Sequence, residues 1–546
     1  MVNVRDIICA LLSEPLTRVA ACLVVSVALV SAQQPTFRSS VRLVNVTVVA
    51  HDSAGRPVTS LTASDFQVFE DGTEQTIEVF AMDTDRPVQT ASAAAPALAP
   101  APNLFTNRKQ TRDGGGVTVV LFDRLNSSFQ DQKFARDQIV KMLAKAQPRD
   151  RIALYVLESD VVNVLHDFTS DASRLIAVLN KYLGTTSIEL AASDEKAPDF
   201  ERTGIASLDA DTEAWINRSM DAVSEQFLRR RSELTTGALE GIANHLAGIP
   251  GRKNLVWVSA AFPFVIPQQN SAPLIMDTAI NRVTRAINSA DVAVYPVDIR
   301  GLMPALNPTT ATATTTKGAA PQPIFTTMAT ISPNQDTMRA IAELTGGRVY
   351  LNTNAIGEAI RRAIDDSRVS YVLGYRSSRP DNDNKFRNIT VKVSRGGVEL
   401  RHRKGYLALT APTRDSKERL KALERVMVSP IEASSIELAA EISRMGKEGT
   451  VVVRIDPTAL SWEQKKDVRE AAIDVVIAQS VADGKYFTIK ETTVNLTADS
   501  ERYKQMLEDG LTLSSNFTAV PGAYRLHVVV SDVGSQSVGS LIIPIK

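Results

Sequence analysis

Val117-Thr118-Val119-Val120-Leu121-Phe122-Asp123 decides the fold. The run is apolar on consecutive positions instead of alternating ones. It therefore predicts a strand buried on both faces, which in turn demands helices above and below a mainly parallel sheet. The stretch that follows supplies them. Ala135, Ile139, Met142, Leu143 and Ala146 recur at helical spacing until Pro148, and 151–158 forms the next strand. Ser170 caps a helix whose Leu175, Leu179 and Tyr182 share a face, and 232–246 forms another. Strands at 254–259 and 291–298 follow, separated by a helix over 275–289. A helix marked by Met338, Ile341 and Ala342 closes at Gly346-Gly347, 348–351 is the last parallel strand, and Ile356, Ile360 and Ile364 mark a final helix. The expectation is a doubly wound α/β domain over 116–370, with a polar insertion near 184–230 and a Thr/Ala/Pro-rich one near 303–334.

Outward from that domain the periodicity changes. Residues 41–50 alternate in the period-2 manner of a half-buried strand, and further short strands around Asp71-Gly72 suggest a small β unit over 37–82. An Ala/Pro/Gly-rich linker occupies 83–115. On the far side, 371–376, 386–393 and 398–403 read as an antiparallel β extension over 371–411, with the last two strands as a pair. A charged helix at 414–427 precedes a C-terminal β-sandwich over 430–546, in which Tyr524, Leu526, Val528 and Val530 are expected to share an inward face.

The N-terminus carries an apolar run after Arg18 that ends in Val30-Ser31-Ala32, so residues 1–32 read as a signal peptide cleaved after Ala32. An uncleaved anchor is the alternative. Both cysteines, Cys9 and Cys22, lie in this leader, which leaves the mature chain without a disulfide or a thiol nucleophile. A secreted or periplasmic protein with no stable membrane span after cleavage is expected. The 546 residues balance 61 basic against 61 acidic side chains, which excludes capture of nucleic acid through global charge. The five histidines lack zinc-ligand spacing.

Several phrases resemble one family. Val119–Asp123 followed by Asn126-Ser127-Ser128 resembles the first strand and metal loop of a von Willebrand factor type A domain, a Rossmann-like fold. Leu61-Thr-Ala-Ser-Asp65-Phe66, Glu70-Asp71-Gly72, Gly251-Arg252-Lys253-Asn254-Leu255-Val256-Trp257, Tyr371-Val-Leu-Gly-Tyr375 and Pro521-Gly-Ala-Tyr-Arg-Leu resemble the VWFA-related proteins of acidobacteria. The resemblance implies a Mg²⁺ site built from an Asp-x-Ser-x-Ser loop, a threonine and an aspartate, with a partner's carboxylate completing the octahedron. Carried onto this chain, the ligands are Asp123, Asn126 as a substitute oxygen, Ser127, and Thr235 or Thr236. Leu125 occupies the middle serine position, and Ser259-Ala260-Ala261 stands where Asp-Gly is usual. The site is degenerate, so no cofactor beyond weak Mg²⁺ is expected. Without a metal, Asp123 caps its own loop.

The competing class is an extracytoplasmic hydrolase with an unrecognised active site. The chain has no Gly-x-Ser-x-Gly elbow, no His-Glu-x-x-His helix and no phosphate loop. His166-Asp167 reads as an exposed polar pair without a nucleophile, and Arg229-Arg230-Arg231 and Arg401-His402-Arg403-Lys404 read as solvated faces. The expected function is that of an exported, non-enzymatic protein-binding or adhesion module, whose partner is a protein met at the rim where Asp123, Ser127, Thr235, Ser259 and Asp298 gather.

Overall fold

The computed structural model describes residues 43–84, 103–108, 116–158, 161–182, 184, 186–193, 206–266, 274–275, 277–301, 333–379, 385–408 and 415–545. The leader, most of the 83–115 stretch and nearly all of the 303–334 insertion lie outside the described residues. The protein is a mixed α/β structure with one mostly parallel sheet and several antiparallel ones.

Val117–Asp123 is buried at every position and occupies the centre of the mostly parallel sheet. Parallel neighbours flank it on both sides, with Val119 opposite Leu255 on one and opposite Ala153 on the other. The order across the sheet is Val292–Asp298, Lys253–Ser259, Val117–Asp123, Ile152–Glu158 and Val161–Thr169, the last antiparallel. That antiparallel edge strand had no counterpart in the sequence reading. The expected strand at 348–351 is reduced to one parallel bridge, Tyr350 to Val297.

Because successive side chains of a strand point to opposite faces, the central run feeds two cores. Val117, Val119 and Leu121 pack with Leu239, Ile242, Ile280 and Val283 of the helices Ala206–Leu246 and Asp277–Ser289. Val120 and Phe122 pack with Ile139, Leu175 and Ile360 of Phe129–Leu143, Ala172–Lys181 and Ile356–Asp366. The helix expected at 232–246 begins instead at Ala206 and runs for 41 residues, about 60 Å at an α-helical rise, absorbing much of the polar insertion.

The strands of 43–84 and 369–408 pair with one another. Leu43–Asp52 lies between Val369–Arg376 and Val398–Arg401, and Ile77–Thr84 borders Val369–Arg376. Phe66–Glu70 pairs with Lys385–Val393 in the second sheet. The two stretches expected separately thus share one apolar core, in which Val46, Phe66, Tyr371 and Tyr375 meet. The expected pair 386–393 and 398–403 is split between the two sheets for the same reason. The resembling phrases become clasps here: Tyr371 Oη donates to Val58 O (2.7 Å), Tyr375 Oη donates to Glu70 Oε2 (2.7 Å), and the Thr62 amide donates to Asp65 Oδ2 (2.7 Å).

In the C-terminal pair of sheets, Leu511–Thr518, Glu448–Ile455 and Leu438–Met445 run side by side, and Leu104–Thr106 from the linker stretch closes that sheet. Val468–Val481, Ala523–Asp532, Val538–Pro544, Tyr486–Ala498 and the short Glu463–Lys465 build the facing sheet. Leu526, Val528 and Val530 are buried between them as expected, but Tyr524 is 40% exposed, because the ladder with Val468–Val481 shifts register between Ser480 and Val481 and skips Tyr524, taking it out of step with the inward face.

Candidate functional site

The rim lies where the parallel strands end. Val117–Asp123 delivers Asp123, Lys253–Ser259 delivers Ser259, and Val292–Asp298 delivers Asp298. The chain leaves Asp123 through Arg124, Leu125, Asn126 and Ser127, and Ser128 caps the next helix by accepting the Asp131 amide (3.3 Å). Leu125 points into the core and is fully buried, which fixes the loop from below.

The Asp123 carboxylate accepts four hydrogen bonds. Oδ1 takes the Asn126 amide (3.0 Å), while Oδ2 takes Asn126 Nδ2 (2.9 Å), Trp257 Nε1 (2.9 Å) and Ser259 Oγ (2.8 Å). All four donors are neutral. Asp123, Ser127, Thr235, Trp257 and Ser259 have no exposed surface. Burial raises the Asp123 pKa above the ordinary carboxylate value, against the lowering contributions of Asn126, Ser259 and Trp257.

The residues read as metal ligands are brought together, each with its oxygen engaged. Asn126 Nδ2 also donates to Thr235 Oγ1 (2.9 Å), and its Oδ1 accepts Arg231 Nε (3.1 Å). Ser127 Oγ accepts the Ala260 amide (3.2 Å), and Thr236 Oγ1 donates back to Glu233 O (2.9 Å). A hexacoordinate Mg²⁺ needs oxygen lone pairs converging on a vacancy. Here one carboxylate faces N–H and O–H donors, and the substitute oxygen faces a guanidinium, so the arrangement does not fit the ion. Among the described residues no group of three His, Cys, Asp or Glu side chains is placed to hold a metal.

Asp298, which also ends a strand at the rim, is held by its neighbour: Arg300 Nε and Nη2 bond its two oxygens at 2.9 and 2.7 Å. Arg124 is enclosed by Gln132, Glu158 and the ring of Tyr182. Ser187 Oγ donates to Leu125 O (2.9 Å), tying the start of the helix Ile188–Ser193 to the rim loop. Two large apolar side chains stand out beside this tie, Phe129 at 53% exposure and Ile188 at 79%.

Two further expectations are corrected. Arg231 is buried in the rim network, although Arg229 and Arg230 are exposed as expected. Of the second basic cluster, Arg401 pairs with buried Asp366, and His402 Nε2 accepts the Val391 amide (3.2 Å). His166 bonds the Asp167 backbone carbonyl (2.6 Å), not its carboxylate. Sequence reasoning missed a serine–histidine contact: Ser480 Oγ lies 2.9 Å from His527 Nε2, both nearly sealed beneath the helix Ser416–Met427. Burial, then Arg525, lowers the His527 pKa to about 4. No local spacing signals this pair, which two neighbouring strands bring together across 47 residues.

No family model matches the sequence, and no curated protein matches it. Among solved structures, the chain is similar to a conserved hypothetical protein, BatB, from Bacteroides thetaiotaomicron at 13% identity and TM-score 0.22, over 46% of this chain and 98% of that one. The SpRpn10 VWA domain aligns at 12% identity and TM-score 0.15, over 33% and 88%. Three N-terminal domains of the type V pili tip protein Mfa5 from Porphyromonas gingivalis align at 10% identity and TM-score 0.24, over 86% and 77%. At these scores the likeness carries no argument, and the mixed α/β fold rests on the strand order and register described above.

Proposed function

We propose that the chain is an exported, non-enzymatic protein-binding module, in which the rim of a von Willebrand factor A-like domain flanked by β modules recognises a protein partner without a metal ion. One observation carries this reading: two exposed apolar side chains, Phe129 and Ile188, open the two helices that border the rim loop, and the polar groups of that loop are turned inward and satisfied. Aromatic and aliphatic anchors on a rigid support are what a binding hot spot requires, because little ordering entropy is lost on contact. The position agrees with the general placement of ligands outside the carboxyl ends of parallel strands. Asp123 is unsuited to be a nucleophile or general base, since four donors occupy its lone pairs.

The test compares the full chain with Phe129→Asp and Ile188→Asp variants as bait in an envelope extract. The reading expects a protein retained by the native chain and lost from both variants, whose thermal midpoints are unchanged. Retention indifferent to both substitutions would refute it. So would turnover on ester, peptide or glycoside panels that a single point substitution abolishes.

A further inference from the structure

A β-sheet ends in a row of backbone groups that need partners, and exposed edges are normally blunted by a covering segment, a charge, a proline or a bulge. Among the described residues the C-terminal pair of sheets has five such edge strands, and four carry one of these devices; Glu463–Lys465, beside Val468–Val481, is only three residues long and carries Glu463 and Lys465. Leu438–Met445 is covered by Leu104–Thr106, with Asn107 as the clamp: its Nδ2 donates to Ala433 O (2.7 Å) and Ile436 O (2.9 Å), and its Oδ1 accepts the Leu438 amide (2.8 Å). Val538–Pro544 ends in proline and is met by 432–436, where the Ser540 amide bonds Ala433 O (2.9 Å) and the Ile542 amide bonds Glu432 Oε1 (2.8 Å). Tyr486–Ala498 carries Lys490 and Glu491 on a ladder bulged at Ile477/Ala478.

Leu511–Thr518 is different. Its sequence, Leu-Thr-Leu-Ser-Ser-Asn-Phe-Thr, contains neither a charge nor a proline, and its ladder with Glu448–Ile455 runs without a register shift. Thr518 O accepts Gln479 Nε2, but among the described residues no strand pairs with the outer side of 511–517. We propose that this edge is an interface between two copies of the chain, joined antiparallel through Leu511–Thr518 about a two-fold axis.

The burial pattern sets the register. Leu511, Leu513, Ser515 and Phe517 turn inward while Thr512, Ser514 and Asn516 turn outward. Residues directly opposite each other in an antiparallel pair share a face, so inward must meet inward. Centring the axis on Ser514 satisfies this and uses the strand most fully. Leu511 then faces Phe517, Thr512 faces Asn516, Leu513 faces Ser515, and Ser514 faces its own copy. The burial pattern over 511–517 is symmetric about Ser514, so each residue meets one of the same exposure, and with no charge in the strand no pair is repulsive. A two-fold contact of this kind closes on itself and yields a dimer, not a filament.

The test uses the full chain with Cys9→Ser and Cys22→Ser, so that introduced cysteines are alone. Sedimentation velocity is expected to show a concentration-dependent dimer, and Ser514→Cys to give a disulfide-linked dimer on mild oxidation. Thr512→Cys alone is expected to give none, because its copies lie four residues apart along the strands, about 13 Å, beyond the roughly 7 Å Cα limit for a disulfide. An equimolar mixture of Thr512→Cys and Asn516→Cys restores the link. Ser514→Lys, exposed and therefore neutral for folding, weakens the dimer roughly fivefold by placing like charges face to face. A monomer across the micromolar to submillimolar range would overturn the proposal, as would a dimer that Thr512→Cys links as readily as Ser514→Cys.

Discussion

Replacing Asp123 tests whether the rim loop is held by neutral hydrogen bonds or by a cation. In Asp123→Ala the four donors lose their acceptor at once. Asn126 Nδ2 keeps Thr235 Oγ1, and Ser259 Oγ can turn its proton to Ala261 O (2.8 Å). The Trp257 indole and the Asn126 amide, however, are left as buried donors with no replacement among their contacts. At about 1–3 kcal/mol for each orphaned group, with a small further loss of packing, the variant should be destabilised by about 3–5 kcal/mol. Asp123→Asn keeps the shape and can present its oxygen to Trp257 and Ser259. It loses the bond from the Asn126 amide, but it relieves the burial that raises the Asp123 pKa, so its cost should stay below about 2 kcal/mol. Denaturant unfolding followed through tryptophan fluorescence, with and without millimolar Mg²⁺, measures both. Refutation takes one of two forms: an Asp123→Ala penalty under about 1 kcal/mol, or a Mg²⁺-dependent gain in native stability that Asp123→Asn abolishes.

Other consequences are independent of that network. A Cβ on Gly347 would sit 1.8 Å from the Val294 carbonyl oxygen, so Gly347→Ala should cost more than about 3 kcal/mol, whereas Gly396→Ala, which meets nothing within 4 Å, should be neutral in the same melt. Asn107→Ala removes three bonds to buried backbone groups and should lower stability by about 2–4 kcal/mol, with faster proteolysis beside 103–108 as the readout. His527 titrates near 6.5 when unfolded and at about 4 when folded, so its contribution is fully present above pH 6.5 and is lost as pH falls toward 4. The full loss is about 3 kcal/mol, and the lowered His51 and His402 act in the same direction. Unfolding midpoints across this range should fall with acid in the native chain and flatten in His527→Gln. A midpoint that rises on acidification would contradict the assignment.

The strands that build the central sheet were legible because each is a short apolar run closed by a polar residue, as Val117–Asp123 and Lys253–Ser259 show. Val161–Thr169 was not, since Asn163, His166 and Asp167 break any simple period and its place at the sheet edge leaves several of its side chains partly exposed. Pairing between 43–84 and 369–408 has no local signature, because the partners lie about three hundred residues apart and only the shared core around Tyr371 and Phe66 selects them. The grouping of Asp123, Asn126 and Ser127 with Thr235 was implied by the resemblance of the strand-end loop to a metal loop, although Thr235 lies within the helix Ala206–Leu246 and not at its start. The direction of their bonds was not. Trp257 reads simply as a buried strand residue and Arg231 as one of three surface arginines, yet the first donates to Asp123 and the second holds Asn126.

Amide hydrogen exchange on the complex formed with a captured protein tests most directly whether the rim is the recognition surface. Slowed exchange at 124–132 and 187–190, absent when Phe129→Asp replaces the native chain, is the predicted footprint. Protection confined to the C-terminal sheets or to the 43–84 and 369–408 strands, with the rim exchanging as in the free protein, would contradict it.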